Sequence, residues 1–201
     1  MKVLKQKTLR ESKEIFNELT NILSEAKIKI QVVSAWFTDP QLLDILIKKQ
    51  KEGVQVSVII SDQKDNNKLP FIDLVSAGGD VLKVKKTGYG MMHQKFCIVD
   101  GLILVHGSYN WTINARKNND ESVIITNHDQ TVVEMGEIFN QLRGNSTAVN
   151  GKRKNIIKRI IDGISNKSIA NRESKKPAID QDSNENGVFS SQDKGYQAIL
   201  D

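Results

Sequence analysis

The chain has 201 residues, room for one full domain with a sizeable core and some length to spare. Its single cysteine, Cys97, excludes an intrachain disulfide framework, and no apolar run approaches the length of a membrane span. The net charge of +5 is unevenly placed: residues 1–143 carry 19 basic against 17 acidic side chains, residues 144–172 carry 7 against 1, and residues 173–201 carry 3 against 6. Bulk charge is therefore weak support for a polyanionic partner, and the basic segment at 152–159 is the better argument.

The opening residues, Met1 to Lys7, lack the apolar centre of a signal peptide, so a soluble cytoplasmic protein is expected. Glu11 to Lys27 places Ile15, Leu19, Ile22, Leu23 and Ala26 on one helical face. Residues 28–37 read as a buried strand. Asp39-Pro40 opens a helix with proline at its first position, and Gly53 closes it. A second strand follows at 54–60, a polar loop at 62–67, a helix at 70–77 and a third strand at 81–84. Strand, helix, strand, helix, strand predicts an α/β domain with a mixed, mostly parallel central sheet flanked by helices.

Residues 85–90 form a connector with two glycines and Tyr89. Phe96-Cys97-Ile98-Val99 and Leu102-Ile103-Leu104-Val105 then read as paired strands around the turn signal Asp100-Gly101. A two-residue turn sets Val99 opposite Leu102, His93 opposite Ser108 and Lys95 opposite His106. One face then gathers His93, Lys95, Ser108 and Asn110, and the other carries Phe96, Ile98, Ile103 and Val105. Residues 111–119 cross over, 121–126 form another strand, and 130–142 a helix with Val132, Val133, Met135, Ile138, Phe139 and Leu142 inward. Beyond Arg143 the composition shifts. Residues 144–151 read as a small-polar linker, 155–169 as a short basic amphipathic helix, and 171–195 as a disordered polar stretch.

An imidazole, an ammonium, a hydroxyl and an amide on one face suit phosphoryl transfer. The imidazole serves as nucleophile or general acid, and the other three donate to phosphoryl oxygens as charge builds. None of the four is a preferred ligand of a hard metal, so metal-free chemistry without a cofactor is expected.

At these residues the chain resembles the phospholipase D superfamily. His93, Lys95, Asp100, Gly107, Ser108 and Asn110 match its His-x-Lys signature, with the later Asp and the Gly-Ser-x-Asn run at matching spacing. The resemblance runs from about Lys29 to Arg143, with residues 30–38 similar to the first core strand and Glu121 similar to the downstream acid that orients the histidine. A second His-x-Lys is absent, as in the small one-motif members, which include bacterial endonucleases. The resemblance therefore implies a homodimer with the site on its twofold axis. It also implies a two-step route through a phosphohistidine, braced by Lys95 and Asn110. From the residues, 1–143 would be the catalytic domain, 144–170 a linker and a basic helix that packs on the domain or meets a partner, and 171–201 a disordered acidic tail with an apolar end that could also meet one.

Each residue also has a plainer reading. Asp100 is expected to hold the turn and nearby backbone donors. His106 reads as a buried spacer, His128 as a surface residue, and Cys97 as a small core hydrophobe. Trp36 and Trp111 read as core or dimer-interface aromatics, with base stacking the lesser alternative. The activity expected is a nuclease acting on DNA or RNA. The rivals are a phospholipid or cardiolipin hydrolase whose basic helix lies on membrane, and a non-catalytic nucleic-acid-binding dimer.

Overall fold

The structure is a computed structural model that describes residues 5–85 and 89–149. The expected basic helix at 155–169 and the acidic tail lie outside the described residues. Among the described residues eight strands form one open sheet: β1 (Gln6–Leu9), β2 (Lys29–Ser34), β3 (Gln55–Ser61), β4 (Asp80–Val84), β5 (Lys95–Val99), β6 (Ile103–Gly107), β7 (Val123–Thr126) and β8 (Thr147–Ala148). The spatial order is β1-β7-β6-β5-β2-β3-β4-β8. The helices are α1 (Ser12–Glu25), α2 (Pro40–Lys51), α3 (Phe71–Ser76), α4 (Ile113–Lys117) and α5 (Asp129–Gly144).

The α/β class and the flanking helices match the sequence reading, but the parallel character is narrower than expected. Among the eight strands, parallel pairing is confined to β2–β3 and β3–β4, joined by the crossovers through α2 and α3. The chain then returns to the other side of β2, and β5, β6, β7 and β1 all pair antiparallel there. β8 pairs with β4, and the Val149 amide donates to the Val81 carbonyl. Residues 147–149 of the expected linker thus form the far sheet edge.

Strand alternation sends apolar side chains to two cores. Ile30, Val32, Val58, Ile60, Cys97 and Val99 lie in one core, under Ile15, Leu19 and Leu23 of α1 and Leu42, Leu43 and Leu46 of α2. Val33, Ile59, Leu82, Phe96, Ile98 and Leu104 lie in the other, under Val132 and Phe139 of α5. β2, β3 and β5 are buried on both faces, so their sequences read as continuous apolar runs. α2 starts as expected: Asp39 caps it by accepting from the Gln41 amide, with Pro40 next. His128 does the same for α5 and is exposed.

Candidate active site

The motif hairpin is offset by one residue from the expected register. The Leu102 amide donates to the Val99 carbonyl across Asp100-Gly101, both of which have positive φ, but the ladder begins one residue later. Val99 pairs with Ile103, Cys97 with Val105 and Phe96 with His106. Leu102 is an extra residue that opposes nothing. A slip of one residue moves every side chain of the second strand to the other face. Ile103 and Val105 therefore join Cys97 and Val99 rather than Phe96 and Ile98. His106 is exposed on the Phe96 face, with Nδ1 3.2 Å from the Lys95 carbonyl, and is neither buried nor opposite the Lys95 side chain.

The residue that comes opposite Lys95 is Gly107. A β-carbon there would lie 2.1 Å from the Ser122 carbonyl oxygen, so β7 runs against bare backbone. That close approach brings Glu121 and Ser122 up to Ser108. The Ser108 hydroxyl donates to Glu121 and accepts from the Ser122 amide at 3.0 Å. Glu121 also accepts from Asn119 Nδ2 at 2.8 Å and is 7% exposed. Ser108, expected to donate to a phosphoryl group, has its one proton committed to a carboxylate.

Lys95 is 7% exposed, and its ammonium donates to the His93 carbonyl at 2.7 Å, leaving two further N–H bonds. Burial lowers its pKa below the ordinary lysine value, and the nearby Glu121 carboxylate only partly opposes this. The His93 ring is exposed and meets the Trp36 indole edge to face, with centroids 5.4 Å apart. The Lys95 Nζ lies 5.9 Å from the centre of the same indole. Among the described residues no hydrogen bond reaches the His93 imidazole. Glu121, expected to orient it, is bound to Ser108 and Asn119 instead.

Asn110 turns its Oδ1 toward the Trp36 amide at 3.4 Å, which leaves Nδ2 free to donate. His93, Lys95 and Asn110 are thus brought together around Trp36, with Ser108 and Glu121 beside them. Asp100 is elsewhere, at the opposite end of β5. Its carboxylate accepts from the Lys27, Ile28 and Lys29 amides at 2.9, 2.7 and 2.9 Å and ties the motif hairpin to the start of β2. Burial raises its pKa, but those donations outweigh the effect and hold it below the usual carboxylate value. Cys97 is fully buried, with its thiol pKa pushed up to about 12, which fits an inert core side chain. Trp111 is core, packed edge-on against Phe37. Among the described residues no three His, Cys, Asp or Glu side chains cluster in a way that could hold a metal.

Two positions escaped sequence reasoning. Asn66, in the polar loop after β3, is fully buried and accepts from the Phe37 amide while donating to the Ala35 and Ser61 carbonyls. It clamps the backbone on both sides of Trp36. Asn119 supports Glu121. The only sequence signal for either was a polar amide next to a strand end.

A family model described as cardiolipin synthase, PLD-like domain, matches residues 19–143. A mitochondrial cardiolipin hydrolase of Xenopus tropicalis is 32% identical over 120 residues, covering 59% of this chain and 56% of that protein. The chain thus spans little more than half the length of that relative. Among solved structures, NucT from Helicobacter pylori superposes with a TM-score of 0.67 at 23% identity, covering 73% of this chain and 99% of the other. Nuc from Salmonella typhimurium, a phospholipase D family member, gives 0.62 at 20% identity, covering 73% and 97%. Motif, fold and family match agree, and the chain belongs to the phospholipase D-like family.

Proposed function

We propose that this chain is a phosphodiesterase that cleaves a polynucleotide by nucleophilic catalysis, at a site completed by a second copy of itself. The observation that carries this reading is the grouping of an exposed imidazole, His93, with free donors on Lys95 and Asn110. That is the set a phosphoryl group needs for attack and for bracing of the charge that builds on its oxygens. The reaction takes two imidazoles. Nε2 or Nδ1 of one forms a bond to phosphorus as the ester P–O bond breaks, and the second protonates the departing oxygen. Water then attacks phosphorus, giving a proton to the second ring, and the N–P bond breaks to release a phosphomonoester and restore both rings.

The chain has three histidines. His106 lies on the opposite sheet face from Lys95, and His128 caps α5. Neither is placed to be the second imidazole, which supports a twofold site supplied by His93 of the partner subunit. Glu121 is assigned the orienting of an imidazole at that shared site, and Asp100 a scaffolding role. A cytoplasmic setting is part of the same reading.

The basic segment at 152–159 favours a polynucleotide substrate. The similarity to cardiolipin hydrolases favours a phospholipid, which makes lipid the second reading. Purified protein is tested in chelator against DNA, RNA and cardiolipin vesicles. The expected result is nucleic-acid cleavage that chelator leaves intact. Cleavage of lipid alone, or a loss that divalent metal restores, would overturn it. Exchange of wild type with His93→Ala is expected to yield inactive heterodimers. A heterodimer with about half of wild-type activity would contradict the shared site.

A further inference from the structure

A cleft of about 310 Å3 opens beside the site, and Trp36 and Asn110 belong to both. Its other walls include Asn114 and Asn119, and an exposed pair, Asp65 and Lys68. That volume is at the low end of small-molecule sites, about 300–1,000 Å3, enough for one planar group and too small for a diacyl chain.

The lining is amide-rich and has no unpaired charge among these walls. Lys68 is ion-paired with Asp65 at 2.6 Å, so the pair adds no net charge to the cleft. The amides form a chain: Asn118 Nδ2 donates to Asn114 Oδ1, Asn114 Nδ2 to Asn119 Oδ1, and Asn119 Nδ2 to Glu121. Each NH2 keeps a second N–H and each oxygen a second lone pair. Paired donors and acceptors of this kind match the edge of a nucleobase.

Trp36 is the platform. Asn66 and Ser61 hold the Ala35 carbonyl, Asn66 accepts from the Phe37 amide, and the Trp36 carbonyl accepts from Ser34 Oγ and the Trp111 amide. The peptide groups on both sides of Trp36 are fixed, and the residue stays partly exposed, with the His93 ring and the Lys95 ammonium against its indole. A rigid aromatic surface at the mouth of an amide-lined cleft is suited to stacking.

We infer that this cleft is a nucleobase subsite: the base next to the scissile phosphate leaves its neighbours, stacks on Trp36 and is met at its edge by Asn114 and Asn119. The inference rests on the phosphodiesterase reading above and names its substrate as single-stranded nucleic acid, because a paired base cannot enter.

The test uses single-stranded oligonucleotides of one sequence, intact or with one abasic position next to the cleaved bond, in chelator. Wild type is expected to prefer the intact strand by roughly 5- to 150-fold, the range set by one stacked base. Trp36→Leu is expected to bring that ratio close to one, Trp36→Phe to retain most of it, and Asn114→Ala to change the ranking among four homopolymers. In a His93→Ala background, oligo(dT) is expected to quench tryptophan emission, and Trp36→Phe to abolish the quench, since Trp111 is buried. An intact-to-abasic ratio near one in wild type, or a ratio unaltered by Trp36→Leu and Asn114→Ala, would overturn the subsite while leaving the nuclease standing. Loss of the dimer in folded Trp36→Leu would reassign Trp36 to the subunit interface. Absence of any polynucleotide cleavage, with cardiolipin vesicles hydrolysed or quenching the emission instead, would overturn the function itself.

Discussion

The hydroxyl of Ser108 donates to the carboxylate of Glu121, its neighbour across β6 and β7. That bond suits Ser108 to positioning an acid in the proposed site. Ser108→Ala frees one carboxylate oxygen and strands the Ser122 amide. A hydrogen bond to a charged group is worth about 1.5–3 kcal/mol, so kcat is expected to fall roughly 10- to 100-fold with little change in KM. In a Glu121→Gln background Ser108→Ala should cost little more, and a full further loss there would restore Ser108 to a direct role on the phosphoryl group.

Lys95 supplies a pH signature. It must be charged to brace a phosphoryl group, and burial has already lowered its pKa. Activity should be lost as pH rises through that lowered value, below the range of an ordinary lysine near 10.4. Glu121 opposes the shift, so Glu121→Gln should move the alkaline limb to still lower pH. A limb that stays in place in Glu121→Gln would show that the two charges are not coupled. Lys95→Met should reduce kcat by about 10²–10³-fold, as removal of one transition-state donor does elsewhere. Its stability should not suffer in step. With a folded pKa below the unfolded one, wild type gains stability as pH rises between the two values, and the Met variant should lack that gain. Thermal melts across alkaline pH measure it.

How much of this was legible beforehand follows from where the information sits. The grouping of His93, Lys95 and Asn110 was readable because one hairpin and its exit carry them, and their spacing is local. The face assignment failed at Leu102: Asp100-Gly101 signals the turn, but nothing in the apolar run shows that one residue drops out of the ladder. The mostly parallel sheet failed at the step from β4 to β5, where the connector gives no sign that the chain crosses to the far side of β2. β1 was missed because Gln6–Leu9 is mostly exposed and takes its strand form from pairing with β7. Asn66 was missed because its partners at Ala35 and Phe37 are about thirty positions away in sequence.

Asp100 should matter to folding more than to chemistry. Asp100→Ala leaves three backbone donors at residues 27–29 without their acceptor, and it places alanine at φ 55. A loss of about 1–3 kcal/mol is expected, with Asp100→Asn milder because asparagine tolerates the left-handed region and still accepts. The folded pKa is lowered, so this stabilisation is present above the unfolded aspartate value near 3.9 and lost as pH falls through the folded value. Urea midpoints of wild type and Asp100→Asn should therefore converge in acid. A constant gap across that range would assign the effect to the turn geometry alone.

Gly107 sits directly against the backbone of β7. Alanine there would put its β-carbon 2.1 Å from the Ser122 oxygen and 2.7 Å from the Val123 Cα, both backbone atoms of β7 that have no rotamer to change. The strand must move away, and the Leu104–Gly107 pairing with β7 must loosen with it. Overpacking typically costs about 1–3 kcal/mol and more where backbone is displaced, so about 3 kcal/mol or above is expected for Gly107→Ala. The displacement would also carry Glu121 away from Ser108. Activity should consequently fall even at temperatures where the variant remains folded. Gly136→Ala, on the surface of α5 with open space around the new methyl, is the matched control and should be neutral or slightly stabilising. A Gly107→Ala protein with a wild-type melting temperature and wild-type kcat would show that β7 does not need this close approach to bring Glu121 to the site.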